Sequence, residues 1–183
     1  MVVDRAATQG RKVAALLIDL DRFKDFNDTH GHAVGDEVLL AVTAAIVPRL
    51  GPGDVLARAG GEEFLLLSVV TGRDTASAPA EQVRCAVERM PGDLSVTCSI
   101  GVAAETPEPG LAAESAAEWV WTLTAVADRA MYQAKLAGRN RVVSTPFGIS
   151  STRRASRDAR AARSGVVTMT AAACLRPSRS TRP

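Results

Sequence analysis

Acidic side chains follow two strand-like segments of this sequence. The run Val13–Leu20 (VAALLIDL) is apolar until Asp19, and Asp21 comes directly after it. Glu62 and Glu63 come directly after two glycines and precede a second apolar run. Clustered carboxylates suit a hard cation such as Mg²⁺, which binds carboxylate oxygens and completes its shell with water and substrate phosphates. The sequence therefore predicts a divalent-metal site where the ends of two neighbouring strands meet.

The segments around these acids predict a mixed β-sheet with helices packed on it. The two glycines at 60 and 61 permit a tight reversal between two strands, which indicates a β-hairpin. Apolar residues recur at helical spacing before the Pro/Gly cluster at 51–53 and again before Gly138. The predicted strands are 13–20, 55–59, 64–70, 96–103 and 141–143, and the predicted helices are 34–50, 80–90 and 120–137.

The chain of 183 residues divides by charge into an acidic body and a basic tail. Its length favours one compact domain. From Ser144 onward it has eight Arg and no Lys against one acid, so the tail carries +7 and residues 1–143 carry −5. The tail is rich in Ser, Thr, Ala and Pro and has no sustained period. We expect a largely disordered, solvated extension, in preference to a basic helix at Arg153–Arg163 that binds nucleic acid or acidic lipid.

Several classes of protein are excluded by composition. No apolar stretch reaches the length of a membrane span, and the N-terminus lacks the apolar core of a signal peptide, so a cytoplasmic location is expected. Cys85, Cys98 and Cys174 have no metal-site spacing and are expected to be small buried residues. Met131 and Tyr132 are also expected in the core.

Four motifs occur in order along the chain. They are DLDRFKDFNDTHGHAVGDEVL from Asp19, RAGGEEF from Arg58, SIGVA from Ser99 and ADRAMYQAKLAGRNRV from Ala127. Together they resemble the GGDEF domain of diguanylate cyclases over about residues 13–143. The resemblance implies an α+β fold, an α/β sandwich whose mixed sheet is similar to the palm of class III nucleotide cyclases and carries a GGEEF β-hairpin. It also implies condensation of two GTP molecules into cyclic di-GMP and two pyrophosphates, with one GTP in each domain.

The resemblance assigns the metal ligands and the catalytic groups. Asp19, the backbone carbonyl of Leu20 and Glu62 are the implied ligands of Mg²⁺ or Mn²⁺, and Glu63 is a second metal ligand or a proton acceptor. Two cations could activate the attacking 3′-hydroxyl and neutralise charge at the α-phosphorus. Lys24 would stabilise the same developing charge, so Glu62, Glu63 and Lys24 are the expected catalytic residues.

Asn27 and Asp36 resemble the residues with which the family binds guanine. A carboxylate accepts from guanine N1–H and N2–H, and an amide both donates and accepts on the same edge. Adenine lacks that pattern, so selection of GTP over ATP is expected. His32 either lines the same pocket or holds the turn beside Gly31, and the sequence leaves both readings open. His30 is assigned to the surface.

The triphosphate is expected to meet backbone groups and two cations. The N–H groups of the turn Arg22–Lys24, including that of Phe23, would face phosphate oxygens. Lys135 and Arg139 would reach the β- and γ-phosphates from the end of the last helix. Cations at that place also complement the helix dipole, which is the alternative reading.

The sequence departs from the family pattern at two places. Many members have an RxxD product-inhibition site a few residues before the glycine pair, and here Gly51 replaces its arginine while Asp54 remains. High-affinity product feedback is therefore not expected. The helix that usually precedes the first strand is not expected in residues 1–12, which are treated as a leader to a domain at 13–143 and a tail at 144–183. Its loss would weaken activity.

The implied reaction needs two GTP-loaded sites that face each other. We therefore expect a transient homodimer, although the chain has no heptads to form one, and an upstream sensory partner. Two alternatives stay open. The first is a catalytically silent GGDEF-like module that binds GTP or a protein, and the second is an interaction protein whose basic tail binds nucleic acid or anionic membrane. The intact motif residues favour the enzyme.

Overall fold

The computed structural model describes residues 2–71, 76–91, 95–146 and 170–171. These residues form one β-sheet with helices on both faces. The strands are β1 (Lys12–Leu20), β2 (Val55–Arg58), β3 (Glu63–Val70), β4 (Cys98–Glu105), β5 (Val142–Pro146) and the short β6 (Thr170–Ala171). The helices are α1 (Val2–Thr8), α2 (Phe23–His30), α3 (His32–Ile46), α4 (Ser77–Glu88) and α5 (Ala113–Leu136), and a 3₁₀ turn spans Val47–Arg49.

The strand order is β5-β4-β1-β3-β2-β6. The central strand β1 pairs antiparallel with β3 on one side and with β4 on the other, while β5 runs parallel to β4. All residues of β1 after Lys12 are buried, which explains why the strand reads as a nearly continuous apolar run. The observed architecture is an open mixed sheet with packed helices, so the predicted α+β fold class is confirmed.

Alternate residues of β1 belong to two separate cores. Leu16 and Ile18 pack under α2, α3 and α4 on one face of the sheet. Ala15 and Leu17 pack under α1 and α5 on the opposite face. Because side chains alternate along a strand, Asp19 lies on the α5 face at the end of β1.

Two helices, α1 and α2, were not predicted. Helix α1 lies within residues 1–12, which were expected to be a leader, and buries Val3 and Ala6. Arg5 Nη1 donates to the Pro52 carbonyl at 2.6 Å, so the helix is tied to the turn before β2. Both helices have eight residues or fewer, and two turns give too little periodicity for a pattern in sequence to show.

Some expectations about single residues need correction. Tyr132 was expected in the core but is 57% exposed, because it lies on the outer face of α5, whereas Met131 is buried. Cys98 is buried, and Cys85 is half-buried. Cys174 and the basic tail beyond Pro146, apart from β6, lie outside the described residues. No helix in the described part of the chain is long and apolar enough to cross a membrane.

Helix α5 approaches β4 at a glycine. A Cβ atom on Gly101 would overlap the Ala127 carbonyl oxygen and the Met131 nitrogen, and would lie 2.9 Å from Met131 Cα. These are backbone atoms of α5, so they cannot rotate away. The spacing between α5 and the sheet, and with it the position of the end of α5, depends on the missing side chain.

We expect Gly101→Ala to lower the free energy of unfolding by about 3 kcal/mol, because α5 must move off the sheet. Urea denaturation followed by circular dichroism measures the change. Gly61→Ala is the matched control, because a Cβ there meets no atom within 4 Å, and we expect a change below roughly 0.5 kcal/mol. Equal stability of the two variants would contradict the close packing described for α5.

Candidate active site

The predicted acids meet at one edge of the sheet. Asp19 is the residue of β1 that pairs with Glu63, the first residue of β3. The backbone N–H of Leu20 donates to the Glu62 carbonyl at 3.2 Å, which extends the pairing by one residue. The end of β1 and the start of β3 therefore bring the backbones of Asp19, Glu62 and Glu63 side by side, as the sequence predicted for two neighbouring strand ends.

Arg58 holds the glycine turn that precedes these glutamates. Its Nε atom donates to the carbonyls of Gly60 and Gly61 at 3.1 and 3.2 Å, and its Nη2 atom donates to Gly61 at 2.6 Å. The Gly60 N–H donates to the Glu63 carbonyl at 3.3 Å. In a trans peptide the N–H points opposite to the C=O, so the N–H groups of Gly61 and Glu62 face away from Arg58. The sequence gives no sign of this role, since no spacing rule links an arginine to carbonyls two and three residues later.

An ion pair joins the end of α5 to the end of β1. Lys135 Nζ lies 2.7 Å from Asp19 Oδ2, and Asp19 is only 4% exposed. Burial raises the pKa of Asp19 above its ordinary value, while the hydrogen bond and the charge of Lys135 oppose that rise. Asp19 thus depends on a neighbouring positive charge to remain ionised in a buried place.

The negative charges of the two glutamates are less fully compensated than the charge of Asp19. Burial, followed by the negative charge of Asp19, raises the pKa of both Glu62 and Glu63, and Lys135 offsets this only in part. Within the described residues, no group of three or more His, Cys, Asp or Glu side chains converges closely enough to hold a metal ion. Lys135 instead occupies the place beside Asp19 where a cation would sit. Carboxylate oxygens with excess negative charge are of the chemical type that binds a divalent ion such as Mg²⁺, but the three acids would have to converge to hold one.

Asp21 does not belong to this carboxylate cluster. Its Oδ1 accepts from the Ser99 hydroxyl at 2.6 Å, and its Oδ2 accepts from the Thr97 hydroxyl at 2.6 Å and from the Asn140 backbone N–H at 3.0 Å. The side chain is 8% exposed. Asp19 and Asp21 are therefore separated because β1 ends at Leu20: Asp19 is still in the strand and faces α5, whereas Asp21 follows the strand and is enclosed by protein donors.

The segment after β1 forms the first turn of α2. Arg22 precedes the helix in a left-handed conformation with φ 55°, and the first hydrogen bond of the helix runs from the Phe26 N–H to its carbonyl at 3.0 Å. The N–H groups of Phe23 and Lys24 consequently have no intrahelical acceptor. The Phe23 side chain is buried in the core, so only its backbone is available, while the Lys24 side chain is exposed.

Asn27 lies between α2 and α3 with an unsatisfied acceptor. Its Oδ1 atom is buried and has no hydrogen-bond partner among the described residues. Gly35 of α3 makes room for it, since a Cβ there would overlap Asn27 Oδ1. Asp36, which follows Gly35, and His32, at the start of α3, are both exposed. A buried acceptor without a partner is costly, which marks Asn27 as a place for a ligand that donates hydrogen bonds.

Arg139 follows the end of α5 in a left-handed conformation with φ 64°. It lines an open cavity of about 570 Å³ together with Arg22, Asp25 and Thr29 of the α2 region. Glu63 and Lys135 line a second open cavity of about 570 Å³ on the α5 side. Lys135 pairs with Asp19, and Arg139 is close enough for its positive charge to oppose the rise that burial causes in the pKa of Asp19.

The sequence and fold agree with one known family. A family profile described as diguanylate cyclase, GGDEF domain, matches residues 2–141. This chain belongs to the GGDEF family. The probable diguanylate cyclase DgcT of Escherichia coli (strain K12) is 39% identical to it over 150 residues, and the response regulator PleD of Caulobacter vibrioides is 40% identical over 154 residues. Each alignment covers 78% of this chain and 31% of the relative, so this chain spans less than a third of the length of those proteins.

Solved GGDEF structures share the fold. The active GGEEF domain of a diguanylate cyclase from Vibrio cholerae has a TM-score of 0.67 at 29% identity, covering 80% of this chain and 91% of that chain. The GGDEF domain of DgcB from Caulobacter crescentus, in complex with c-di-GMP, has a TM-score of 0.62 at 30% identity, covering 78% and 85%. Diguanylate cyclase SiaD from Pseudomonas aeruginosa, in complex with its activator SiaC, has a TM-score of 0.63 at 34% identity, covering 77% and 53%.

We expect Lys135→Met to lower the free energy of unfolding by about 2 kcal/mol without nucleotide or divalent cation, because Asp19 loses its counter-charge in a buried place. The double variant Lys135→Met/Asp19→Asn removes that buried charge and should recover most of the loss. Chemical denaturation measures all variants. Gln133→Met, on an exposed position of the same helix, controls for the new methionine. A double variant as unstable as Lys135→Met alone would show that the ion pair is not the cause.

Proposed function

We propose that this chain is a diguanylate cyclase that condenses two GTP molecules into cyclic di-GMP and releases two pyrophosphates. The observation that carries the proposal is that the β1–β3 pairing brings Asp19, Glu62 and Glu63 to the same end of these strands, where Lys135 forms an ion pair with Asp19 and offsets the negative charge only in part. Membership of the GGDEF family supplies the reaction class. The cyclic di-GMP bound by DgcB supports the same ligand chemistry here.

Backbone and cationic groups around the cluster would bind the triphosphate. Phosphate oxygens would bind at the N-terminus of α2. The backbone N–H groups of its first turn, including those of Phe23 and Lys24, would donate to them. The Lys24 ammonium would stabilise charge that develops at the α-phosphorus. Lys135 and Arg139 would meet the β- and γ-phosphates, and Lys135 would leave Asp19 to do so.

The guanine base would lie between α2 and α3. The buried Asn27 Oδ1 would accept a hydrogen bond from the Watson–Crick edge of guanine, which relieves the unsatisfied acceptor. Asp36 would accept from the same edge, while His32 at the start of α3 either lines the pocket or holds the turn. Adenine presents an acceptor at N1 in place of a donor, so ATP would leave Asn27 and Asp36 unpaired.

Asp19, the Leu20 carbonyl and Glu62 would hold Mg²⁺ or Mn²⁺, with Glu63 as a second ligand or as the proton acceptor. The bound cation would neutralise phosphate charge and polarise the reacting groups. Asp19 lies in β1, and the hydrogen bond from the Leu20 N–H to the Glu62 carbonyl ties the turn that carries Glu62 to the same strand. The pairing of Glu63 with Asp19 supports this assignment, in which Glu63 would take a proton beside the metal.

Two chains must meet, because each would carry one GTP. We propose a transient homodimer in the cytoplasm, controlled by an upstream sensory partner, and the activator SiaC bound to SiaD is a precedent for such control. A second candidate is a silent module that binds GTP without turnover. The contact of Lys135 with Asp19 and the lack of convergence among the acids favour that alternative.

We expect the purified chain to convert GTP into cyclic di-GMP in the presence of Mg²⁺, with a rate per chain that rises with protein concentration. Glu62→Ala should lower that rate by at least about 100-fold, because the metal loses a ligand. Chromatography of the products at several protein concentrations measures both effects.

Glu108→Ala is the matched control for that experiment. Glu108 is exposed in the loop that follows β4. Because β4 runs antiparallel to β1, this loop lies at the opposite end of the strands from Asp19. We expect Glu108→Ala to leave the rate unchanged. GTP binding without product at any concentration would reject the cyclase and support the silent module. Equal rates for Glu62→Ala and the parent chain would reject the assignment of Glu62 to the metal site.

We expect Asn27→Ala to weaken GTP binding by about tenfold and to reduce the preference for GTP over ATP, because the buried acceptor is lost. Folding stability should not fall, since that acceptor has no described partner in the protein. Equilibrium binding of both nucleotides, beside urea denaturation, tests the two statements. Asp28→Ala, an exposed neighbour on α2, is the control.

Gly35→Ala provides an independent test of the same pocket. Its Cβ would displace the Asn27 side chain, so we expect a similar loss of GTP binding. The double variant Gly35→Ala/Asn27→Ala should bind GTP no worse than Asn27→Ala alone. An additive loss would mean that Gly35 does not act through Asn27.

A further inference from the structure

The buried carboxylate of Asp21 has no part in the function proposed above. It directly follows β1 and is enclosed by three donors, namely the hydroxyls of Thr97 and Ser99 and the backbone N–H of Asn140. Its own N–H donates to the Thr97 carbonyl at 2.8 Å. Asp21 therefore joins β1 to two distant parts of the chain, the start of β4 and the segment after α5.

The segment after α5 has an unusual backbone. Gly138, Arg139 and Asn140 have φ angles of 112°, 64° and 44°, so three consecutive residues are left-handed or nearly so. A residue with a Cβ atom disfavours this conformation by roughly 1–2 kcal/mol, and two of the three have one. Such a backbone persists only where surrounding contacts hold it. The hydrogen bond from the Asn140 N–H to Asp21 is one of these contacts.

Helix α4 supplies a second restraint through the Asn140 side chain. Arg84 Nη1 donates to Asn140 Oδ1 at 2.8 Å, and Asn140 Nδ2 donates to Glu88 Oε1 at 2.7 Å. The hydrogen bond from Asn140, followed by that from Arg84, lowers the pKa of Glu88 below its ordinary value. Asn140 is thus fixed from both sides, by Asp21 through its backbone and by α4 through its side chain.

Arg139 lies between Gly138 and this fixed residue. Its N–H donates to the Ala134 carbonyl at 3.0 Å, and its carbonyl accepts from Arg141 Nε at 2.9 Å. Both backbone groups of Arg139 are therefore occupied, which leaves its exposed side chain to project from a defined backbone. That side chain lines the cavity beside the N-terminus of α2, and its charge reaches Asp19.

We propose that Asp21 and Asn140 are positioning residues that hold the left-handed segment after α5 and thereby set the guanidinium of Arg139 against the phosphates of the nucleotide. The proposal rests on the proposed function only for the identity of the ligand, GTP. It separates the two acids of the DLD sequence by role. Asp19 requires its charge for a cation, whereas Asp21 requires only oxygen acceptors in the right places.

That separation makes Asn a diagnostic replacement for Asp21. An Asn amide can accept from Asn140 and Thr97 through its oxygen while its nitrogen donates to the Ser99 hydroxyl, because a hydroxyl both donates and accepts. We expect Asp21→Asn to bind GTP within about threefold of the parent chain and Asp21→Ala to bind about tenfold more weakly, since the phosphate contact of Arg139 is lost. Equilibrium binding without turnover measures both.

Action through Arg139 is tested by a double-mutant cycle. Arg139→Ala should weaken GTP binding by about tenfold, and Asp21→Ala/Arg139→Ala should show the same tenfold loss instead of about a hundredfold. Hydrogen exchange of the Asn140 amide, measured without nucleotide, should be slow in the parent chain and in Asp21→Asn. It should be fast in Asp21→Ala.

A second pair of variants keeps the test decisive if Asp21→Ala does not fold. Asn140→Ala loses the contacts with α4 and disfavours the left-handed backbone, whereas Asn140→Gly loses the same contacts but permits that backbone. We expect GTP binding several-fold weaker in Asn140→Ala than in Asn140→Gly.

Three results would overturn the proposal. In the first, the losses of GTP affinity from Asp21→Ala and Arg139→Ala multiply in the double variant. In the second, Asp21→Asn and Asp21→Ala lower the GTP affinity equally. In the third, Asn140→Ala and Asn140→Gly bind GTP equally well. A chain that binds GTP with the expected pattern but forms no cyclic di-GMP would refute the proposed function alone. Failure of the parent chain to bind GTP would refute both.

Discussion

The strand β1 is buried on both faces, and its penultimate residue is a buried acid, Asp19. Pairing with β3 and β4 along its whole length leaves β1 no freedom to turn Asp19 toward water. The carboxylate is therefore held in a place where its charged form is unfavourable unless a cation compensates it. The rest of the site depends on this constraint, since Lys135, Glu62 and Glu63 are all arranged around that one charge.

The glutamates and the lysine reach Asp19 from opposite directions. The β1–β3 register fixes Glu63 opposite Asp19, and Arg58 fixes the turn that carries Glu62. Lys135 arrives from α5, whose distance from the sheet is set by the absence of a side chain at Gly101. Negative charge thus comes from the sheet and positive charge from the helix, so packing of α5 determines how well the cluster is compensated.

Glycines and left-handed residues occur where the backbone must pass close to a functional side chain. Gly35 gives Asn27 its room between α2 and α3, and Arg22, Arg139 and Asn140 adopt positive φ at the ends of helices that border the site. Each of these positions would cost free energy in isolation. Their common location around one edge of the sheet indicates that the fold retains this strain where ligand-binding groups have to be placed.

The sequence by itself determined the strands β1 to β5, the larger helices and the acids that lie at the ends of β1 and β3, whereas β6 was not predicted. Val13–Leu20 and the Gly60–Gly61 turn are local patterns, and local patterns fix strand identity, hairpin formation and which acids follow a strand. The short helices α1 and α2 gave too little periodicity to predict, and the exposed position of Tyr132 depended on which face of α5 meets the sheet.

Only the tertiary structure decided how neighbouring residues divide their roles. Asp19 and Asp21 are alike in sequence, yet the end of β1 at Leu20 and the partners near residues 97 and 140 give them different environments. Likewise, nothing local in Asn27 indicates an unsatisfied acceptor, because that state depends on the approach of α3 at Gly35. Sequence patterns describe only residues that are near one another along the chain. Burial and hydrogen bonding depend on residues that are distant in sequence and adjacent in space.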